Sequence, residues 1–269
     1  MTMTPAPLRV AIAGAAGRMG AALIRAAHGS GATIVAAVER PDAPALGRDA
    51  GALAGLDPIG VPVTDDPAAI PPCDAFIDFT TPAATRAALS RLPDGVAAII
   101  GTTGLSTEDE AAIAAAGGAR AIVRSGNFSL GVNLLAALVR QAAQRLGPDW
   151  DIEIQEAHHR LKVDAPSGTA LLLGEAAAAG RGAALGDLRS PPYDGQTGPR
   201  RSGGIGFAVR RGGGIIGEHE VMFATEAETI RLSHVALDRS LFAKGALAAA
   251  SWAKGRASGL YAMSDVLGL

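Results

Sequence analysis

The stretch "LRVAIAGAAGRMGAALIRAAHGS" (residues 8–30) predicts the fold of the first half of the chain. Its opening apolar run is typical of a buried strand, and the pattern that follows is typical of a helix. Between the two, Gly14, Gly17 and Gly20 let the backbone approach an anion at the helix N-terminus, which attracts negative charge. We therefore expect a strand–turn–helix unit that binds the pyrophosphate of a dinucleotide.

The same alternation continues beyond this unit. Helical patterns separate four further apolar runs, at residues 33–39, 75–80, 96–103 and 120–126. Strands that are apolar throughout and alternate with helices indicate a parallel sheet covered on both faces. The helix after the third of these runs is expected to begin with a capping box formed by Thr107 and Glu110. We predict a doubly wound α/β domain of Rossmann type.

The pattern changes near residue 127. A long amphipathic helix is followed by strand patterns with few helices between them, at residues 151–159, 205–213, 217–228 and 229–236. This order predicts a second, α+β domain with a mixed or antiparallel sheet. The last helix, at 240–255, resembles the helices of the first half in composition and is expected to pack with them. The predicted boundaries are residues 1–127 with 238–269 for the first domain and 128–237 for the second.

Composition excludes several classes of protein. The 269 residues are 48% hydrophobic but only 4% aromatic, so we expect an aliphatic core of small side chains. A net charge of −2 argues against nucleic-acid binding, which requires a basic excess. The single cysteine, Cys73, cannot form an internal disulfide, and no apolar run approaches the ~20 residues of a membrane span or resembles a signal peptide. We expect a cytoplasmic protein with no membrane partner.

The second predicted strand ends in Glu39, followed by Arg40. An acid about 20 residues beyond a glycine turn accepts hydrogen bonds from the ribose of NAD, whereas an arginine beside it can pair with the 2′-phosphate of NADP. Both residues together predict that NADH and NADPH are each tolerated. The alternative is an exposed ion pair between the two side chains.

Three other strand ends are expected on the same edge of the sheet, where open α/β sheets bind ligands. They are "DFTTP" (78–82), "GTTG" (101–104) and "SGNF" (125–128). Thr80, Thr81, Thr102 and Thr103 offer hydroxyls and backbone amides there, although a threonine at a strand end can also be a simple cap. Asn127 is a candidate to hold the nicotinamide amide.

A second motif, "EAHHRLKVDAPSGTA" (156–170), suggests proton transfer to a small anion. Residues two apart on a strand share a face, so Glu156 and His158 lie together while His159 points away. Imidazole titrates near neutral pH and can give and retake a proton, and Lys162 adds a donor charge. The next helix is expected to start at Ser167, Gly168 and Thr169. The free backbone N–H groups of these three residues, that of Ser167 included, suit a carboxylate.

Other interpretations of these histidines exist. They can be polar residues at a sheet edge, and a zinc site is conceivable, although H-E-x-x-H is absent and Cys73 is distant in sequence. No metal is predicted. His219 and His234 lie on predicted strands and are interpreted as structural.

The chain resembles the dihydrodipicolinate reductase family of bacterial lysine and diaminopimelate synthesis. The resemblance covers essentially the whole chain, through "GAAGRMG", "DFT", "GTTG", "GNFSLGVNLL", "EAHHRLKVDAPSGTA" and "GEHEVMF". The fifth of these is the most specific, because a signature of that length does not arise by accident.

The resemblance implies that a nicotinamide delivers hydride to the carbon conjugated with a cyclic imine dicarboxylate, and that the resulting enamine is protonated on carbon. It implies His158 as the acid–base residue and Lys162 as the proton donor. It implies substrate contacts by His159, Gly168 and Thr169.

The resemblance also implies how the two domains share the work. The first would bind the dinucleotide, the second would bind substrate and mediate assembly of a homotetramer through its sheets, and the two would close over the substrate. The implied cofactor contacts are Gly14, Ala15, Ala16, Gly17, Arg18, Met19, Glu39, Arg40, Gly101, Thr102, Thr103, Ser125, Gly126, Asn127 and Phe128.

Two functions compete with the reductase. A related two-domain dehydrogenase acting on another imine would share the glycine turn, but the His-His-x-x-Lys signature argues against it. A non-catalytic dinucleotide sensor would keep Gly14, Gly17 and Glu39 and would have no need of His158 and Lys162.

Overall fold

The computed structural model describes residues 6–269 of the chain. Residues 1–5, which belong to the predicted first domain, lie outside the described residues. The described chain divides into two compact units. One comprises the residues through Ser129 together with Ser240–Gly268, and the other comprises Leu130–Arg239 with Leu269. No helix of the described residues is long and apolar enough to span a membrane.

The described residues form eleven strands and nine α-helices. The strands are β1 (Arg9–Ala13), β2 (Thr33–Val38), β3 (Val63–Thr64), β4 (Ala75–Asp78), β5 (Ala97–Ile100), β6 (Ala121–Arg124), β7 (Asp151–His158), β8 (Ile205–Arg211), β9 (Gly217–Ala224), β10 (Thr229–Ala236) and β11 (Gly259–Tyr261). The helices are α1 (Arg18–Gly29), α2 (Ala50–Leu53), α3 (Pro82–Leu89), α4 (Thr107–Ala116), α5 (Leu130–Leu146), α6 (Gly168–Gly180), α7 (Leu185–Leu188), α8 (Ser240–Ala253) and α9 (Met263–Leu267).

The first unit is a seven-stranded sheet in the order β11-β6-β5-β4-β1-β2-β3. Every strand pair in it is parallel. Separate clusters of buried aliphatic side chains cover its two faces, and all residues of β4 and β5 are buried. The predicted doubly wound fold is confirmed. Helix α8 contacts α1, β4, β5 and β6, as its composition predicted.

The structure corrects the sequence prediction for α4. The capping box joins Ser106 and Asp109, not Thr107 and Glu110: Ser106 Oγ accepts from the Asp109 amide at 3.1 Å, and the Asp109 carboxylate accepts from the Ser106 amide at 2.8 Å. Helix α4 therefore begins one residue earlier than the predicted cap required, with Thr107 as its first helical residue.

The second unit contains a four-stranded sheet in the order β10-β9-β7-β8. Strand β7 is antiparallel to β9 and parallel to β8, which confirms a mixed sheet. Helices α5 and α6 pack against each other, and their apolar side chains share a core with Ile152, Ile154 and Val221 of the sheet. Strand β7 and helix α6 thus share one packed core, and the histidine motif connects them.

Candidate active site

The glycine turn of the first unit brings backbone unusually close to backbone. Gly14 has φ +63°, a left-handed conformation that glycine adopts without strain. The Gly17 amide donates to the Gly14 carbonyl at 2.9 Å, and Gly17 precedes α1. A Cβ on Gly20 would lie 2.1 Å from the Gly14 oxygen, so only glycine lets α1 pack on the turn. The N-terminus of α1 is thus presented directly at the turn, as anion binding requires.

Glu39 lies against this turn. Its Oε2 accepts from the Ala16 amide at 3.2 Å, and its Oε1 accepts from the Arg40 amide at 3.1 Å. The carboxylate is half-buried, the Arg40 side chain is exposed, and no ion pair joins the two within residues 6–269. The alternative of an exposed ion pair is therefore not what the structure shows.

The two threonines that follow β4 make hydrogen bonds within the first unit. Thr80 Oγ1 donates to Asp78 Oδ1 at 2.6 Å, and its methyl carbon would lie 2.9 Å from a Cβ on Gly14. Thr81 caps α3 by accepting from the Ala84 amide. The prediction that these two hydroxyls serve a ligand is replaced by a structural role, capping for Thr81 and turn formation for Thr80.

The strand end after β5 contains one buried and one exposed threonine. Thr102 is 1% exposed, and its hydroxyl lies 2.8 Å from that of Thr85. This hydroxyl is bonded inside the unit and not offered to a ligand, so the predicted cofactor contact of Thr102 would have to be made by its backbone. Thr103 is exposed. A Cβ on Gly101 would lie 2.1 Å from the Phe79 ring, so glycine is required there for close packing.

The strand end after β6 is a tightly bonded turn. Ser125 Oγ donates to the Asn127 carbonyl at 2.7 Å and accepts from the Asn127 amide at 3.1 Å. Asn127 Oδ1 accepts from the Ser129 amide at 2.8 Å, which fixes the orientation of this side-chain amide. The Phe128 ring is buried and meets Phe79 edge to face at 5.2 Å. Gly126, between Ser125 and Asn127, is exposed.

In the second unit, Glu156 is the centre of a hydrogen-bonded cluster. Its carboxylate is 1% exposed and lies 2.6 Å from Nδ1 of His158, which confirms that the two residues share a face of β7. Arg211 donates to both carboxylate oxygens, at 2.7 and 2.8 Å, and the Ser167 amide donates at 2.9 Å. A buried carboxylate is stable only when it is paired in this way.

These contacts set the charges of the pair. Burial acts to raise the pKa of Glu156, but the hydrogen bonds from Arg211, His158 and Ser167 outweigh it, and the pKa lies below its usual range. Burial lowers the pKa of His158, and the charges of Lys162 and Arg211 lower it further, while Glu156 opposes them. At neutral pH the cluster therefore holds an ionised carboxylate beside a largely neutral imidazole.

The turn after β7 carries the other residues of the motif. The Lys162 amide donates to the His159 carbonyl at 3.1 Å, and Lys162 Nζ pairs with Asp164 at 2.8 Å. His159 is half-buried and Asp164 is exposed. A partly exposed ion pair of this kind contributes only ~1 kcal/mol, which is weak enough for a substrate carboxylate to compete with Asp164 for the lysine.

Helix α6 begins where the motif predicted. Ser167 is its cap, accepting from the Ala170 amide at 3.2 Å, and Gly168 and Thr169 form its first turn. One expectation is corrected: the Ser167 amide is not free, because it donates to Glu156. Gly168 is exposed and Thr169 half-buried, so the predicted anion pocket depends on these two positions.

The described part of the chain contains no group of three or more His, Cys, Asp or Glu side chains arranged to hold a metal ion. The side chains of β7 and α6 described above are suited to proton transfer and anion binding.

Two family models match the chain, and together they cover both units. The description "Dihydrodipicolinate reductase, N-terminus" matches residues 8–128, and "Dihydrodipicolinate reductase, C-terminus" matches residues 131–267. The chain belongs to the dihydrodipicolinate reductase family. The match of the first unit to the N-terminal half of this family supports a pyridine nucleotide as the class of cofactor.

Similar proteins agree with this family. The 4-hydroxy-tetrahydrodipicolinate reductase of Rhizobium rhizogenes is 56% identical over 99% of each chain, and that of Methylocella silvestris is 56% identical over 97% of each. A solved dipicolinate-bound dihydrodipicolinate reductase from Paenisporosarcina sp. TG-14 is 26% identical, with a TM-score of 0.74 over 95% of this chain and 97% of that one. An amine dehydrogenase from Mycobacterium smegmatis, 16% identical with a TM-score of 0.61, shares the fold alone.

Sequence reasoning missed one member of the site, Arg211, and the partners that Ser167 binds. Arg211 is contributed by β8, which pairs in parallel with β7 so that Arg211 lies beside His158. Ser167 bonds Glu156 through its amide and contacts His219 through its hydroxyl, at 3.1 Å from Nε2. The run "RR" at the end of a predicted strand was the available signal, but without the strand register it identified no partner.

Proposed function

We propose that this chain is the NAD(P)H-dependent oxidoreductase that reduces 4-hydroxy-tetrahydrodipicolinate to tetrahydrodipicolinate in diaminopimelate and lysine biosynthesis. The observation that carries the proposal is the β7–turn–α6 segment, which places His158, Lys162 and an open helix N-terminus in one short stretch of a family member. The names of the similar reductases support the same substrate.

The residues of the first unit fit a dinucleotide. Gly14 and Gly20 allow the tight turn that presents the N-terminus of α1, and Glu39 lies against that turn. A bound reduced nicotinamide supplies hydride to the substrate carbon conjugated with the imine. The proposed contacts are Gly14, Ala15, Ala16, Gly17, Arg18, Met19, Glu39, Arg40, Gly101, Thr102, Thr103, Ser125, Gly126, Asn127 and Phe128.

We propose that both NADH and NADPH serve this chain. Glu39 favours the ribose hydroxyls of NADH, but its carboxylate already accepts from two backbone amides and is partly neutralised by them. Exposed Arg40 is available to pair with a 2′-phosphate. Neither feature excludes the other cofactor.

In this proposal, side chains of the second unit protonate the reduced substrate. Hydride addition pushes an electron pair onto the ring nitrogen, and the resulting enamine must accept a proton on carbon. In this proposal Lys162 donates that proton, and His158 acts as the acid–base residue through the nitrogen that Glu156 leaves unbonded. The Lys162 ammonium also neutralises substrate charge once Asp164 has been displaced.

The substrate is a dianion and needs more than one anchor. Gly168 and Thr169, at the N-terminus of α6, can donate to one ring carboxylate, where the helix also contributes partial positive charge. His159, on the turn that precedes Lys162, is proposed as a further substrate contact. The predicted role of the second unit in binding substrate depends on these three positions.

We also propose that the chain acts in the cytoplasm as a homotetramer whose second units associate through their sheets. Along β9, buried residues alternate with less buried ones, so α5 and α6 cover one face only. The edge strand β10 carries the exposed apolar side chains Ile230 and Val235. Sedimentation at micromolar concentration tests the assembly: a tetramer supports it and a monomer overturns it.

The function is tested by cofactor oxidation, followed as loss of the near-ultraviolet absorbance of NADH or NADPH. Freshly made cyclic imine dicarboxylate is compared with oxaloacetate plus ammonia. Turnover with the cyclic imine alone supports the reductase. Turnover with oxaloacetate and ammonia indicates an amino-acid dehydrogenase, and cofactor binding without turnover of any substrate indicates a sensor.

A further inference from the structure

We propose that Glu156 is a positioning residue for the reductase reaction, which fixes the tautomer and orientation of His158, and that Arg211 keeps Glu156 ionised and ties it to the Lys162 turn. The proposal rests on the proposed function only in taking His158 as the acid–base residue.

The tautomer follows from the donors around Glu156. Its carboxylate receives hydrogen bonds from both Arg211 nitrogens and from the Ser167 amide, and this arrangement is favourable only for the ionised form. An ionised carboxylate can only accept. Since Nδ1 of His158 lies 2.6 Å from it, Nδ1 must carry the hydrogen, and Nε2 of neutral His158 holds the lone pair.

The structure leaves space beside that lone pair. A Cβ built on Gly217, at the start of β9, would lie 3.2 Å from Nε2 of His158 and 3.6 Å from the His219 ring. Any side chain at residue 217 would crowd the nitrogen that must exchange a proton. Glu156 therefore fixes Nδ1 of His158, and glycine at residue 217 avoids crowding Nε2.

Arg211 links the pair to the rest of the motif. Besides the two bonds to Glu156, Nη2 of Arg211 donates to the Asp164 backbone carbonyl at 2.7 Å. Asp164 in turn holds Lys162 at 2.8 Å. One guanidinium thus orients the partner of His158 and the turn that carries Lys162, so the two proton-transferring groups are held by a single network.

The charged and titratable groups that face His158 are Glu156, Lys162, Arg211 and the ring of His219. Glu156 alone favours the protonated imidazole, while the two cations disfavour it. Glu156→Gln removes the only favourable charge, so the pKa of His158 must fall. The limb of the pH–rate profile that reports His158 is expected to move to lower pH by about one unit or more.

The kinetic test compares Glu156→Gln with Glu156→Asp and with Glu153→Gln. Glu153→Gln is a matched control, because Glu153 lies on the same strand as Glu156. The substitution removes an ion pair with Arg200, whose atoms are 3.1 Å apart, and does not affect a contact of His158. We expect Glu156→Gln to lower kcat at least about tenfold with a smaller change in KM, and Glu156→Asp to recover part of the loss. A kcat and a pH limb equal to those of Glu153→Gln would overturn the proposal.

A second measurement needs neither substrate nor a folded variant. In the wild-type protein, ¹⁵N chemical shifts of labelled histidine distinguish a hydrogen on Nδ1 from one on Nε2. The proposal requires the Nδ1–H form of neutral His158, and the Nε2–H form would overturn it. Because this result is independent of turnover, a wild-type protein inactive on the cyclic imine would refute the proposed function and leave the Glu156–His158 assignment to be decided by NMR.

Discussion

The ring of His219 meets the ring of His158 edge to face, with centroids 5.1 Å apart and planes at 72°. His219 lies opposite Glu156 in the antiparallel β7–β9 register, and its Nε2 is 3.1 Å from Ser167 Oγ. Burial, followed by the charge of His158, lowers the pKa of His219 to about 4. His219 is therefore neutral at neutral pH, and it packs against the ring of His158 without adding a positive charge.

This burial makes stability depend on pH. The folded-state pKa of His219, about 4, lies below the ordinary value of ~6.5, so between these values the unfolded chain binds more protons than the folded one. The stabilisation is complete above ~6.5 and is lost as the pH falls towards 4. We expect the free energy of unfolding of the wild type, relative to His219→Gln, to fall by up to ~1.4 kcal/mol per pH unit in this window.

Urea unfolding at a series of pH values measures this difference. His28→Gln, which replaces an exposed histidine on α1, is the matched control. A difference between wild type and His219→Gln that stays constant from pH 6.5 to 4 would refute the neutral, buried state of His219.

Replacing Lys162 tests its role as a proton donor. Lys162→Ala is expected to lower kcat by ~10²-fold or more and to raise KM for the dianion, because a proton donor and a neutralising charge are lost together. Lys254→Ala removes a comparable lysine, paired with Asp74 at 3.0 Å on the first unit, and should retain wild-type kinetics. Equal effects of the two substitutions would show that Lys162 contributes only an ion pair.

Arg40 is predicted to discriminate between the cofactors. Arg40→Ala should weaken NADPH about 10- to 100-fold and leave NADH nearly unchanged, because only NADPH carries the 2′-phosphate that a charge-assisted hydrogen bond can hold. Fluorescence titration with each cofactor measures both affinities. Arg48→Ala, another exposed arginine downstream of β2, is the control. If NADH and NADPH weaken alike, the phosphate contact does not exist.

The close contact between Gly20 and Gly14 predicts a cost for a single methyl group. In Gly20→Ala the added carbon would lie 2.1 Å from a backbone oxygen, so α1 must move from the turn, and we expect at least about tenfold weaker cofactor binding and ~1–3 kcal/mol lower stability. Gly29→Ala adds the same methyl in the last turn of α1 with no atom within 4 Å. Equal cofactor affinity in the two variants would contradict the packing argument.

Sequence patterns predicted the long elements of the fold and not the short ones. The buried strands β1, β2, β4, β5 and β6 are apolar runs between helices, and that pattern is unambiguous. The edge strands Val63–Thr64 and Gly259–Tyr261 are too short to show any period, and only the neighbouring strands define them. At α4 two overlapping capping patterns fit, and hydrogen bonds chose Ser106–Asp109 over the pattern one residue later.

In the site, too, some contacts follow from local sequence patterns and others do not. The proximity of Glu156 to His158 follows from the two-residue period of a strand, and the cap at Ser167 follows from the turn before α6. The contacts of Arg211 and His219 depend on which strands pair and in what register, and no local pattern contains that information. Thr102 lies at the predicted strand end, but its hydroxyl points towards Thr85, a contact that the strand pattern does not contain.

The most direct test of the claim that the second unit protonates the reduced substrate uses His158→Gln. Turnover of the cyclic imine and affinity for NADPH are measured on the same preparation. We predict a turnover ~10²–10⁴-fold below wild type with cofactor affinity unchanged, because only proton transfer is removed. A variant that turns over at the wild-type rate, or one whose turnover and cofactor affinity fall by the same factor, would contradict the account.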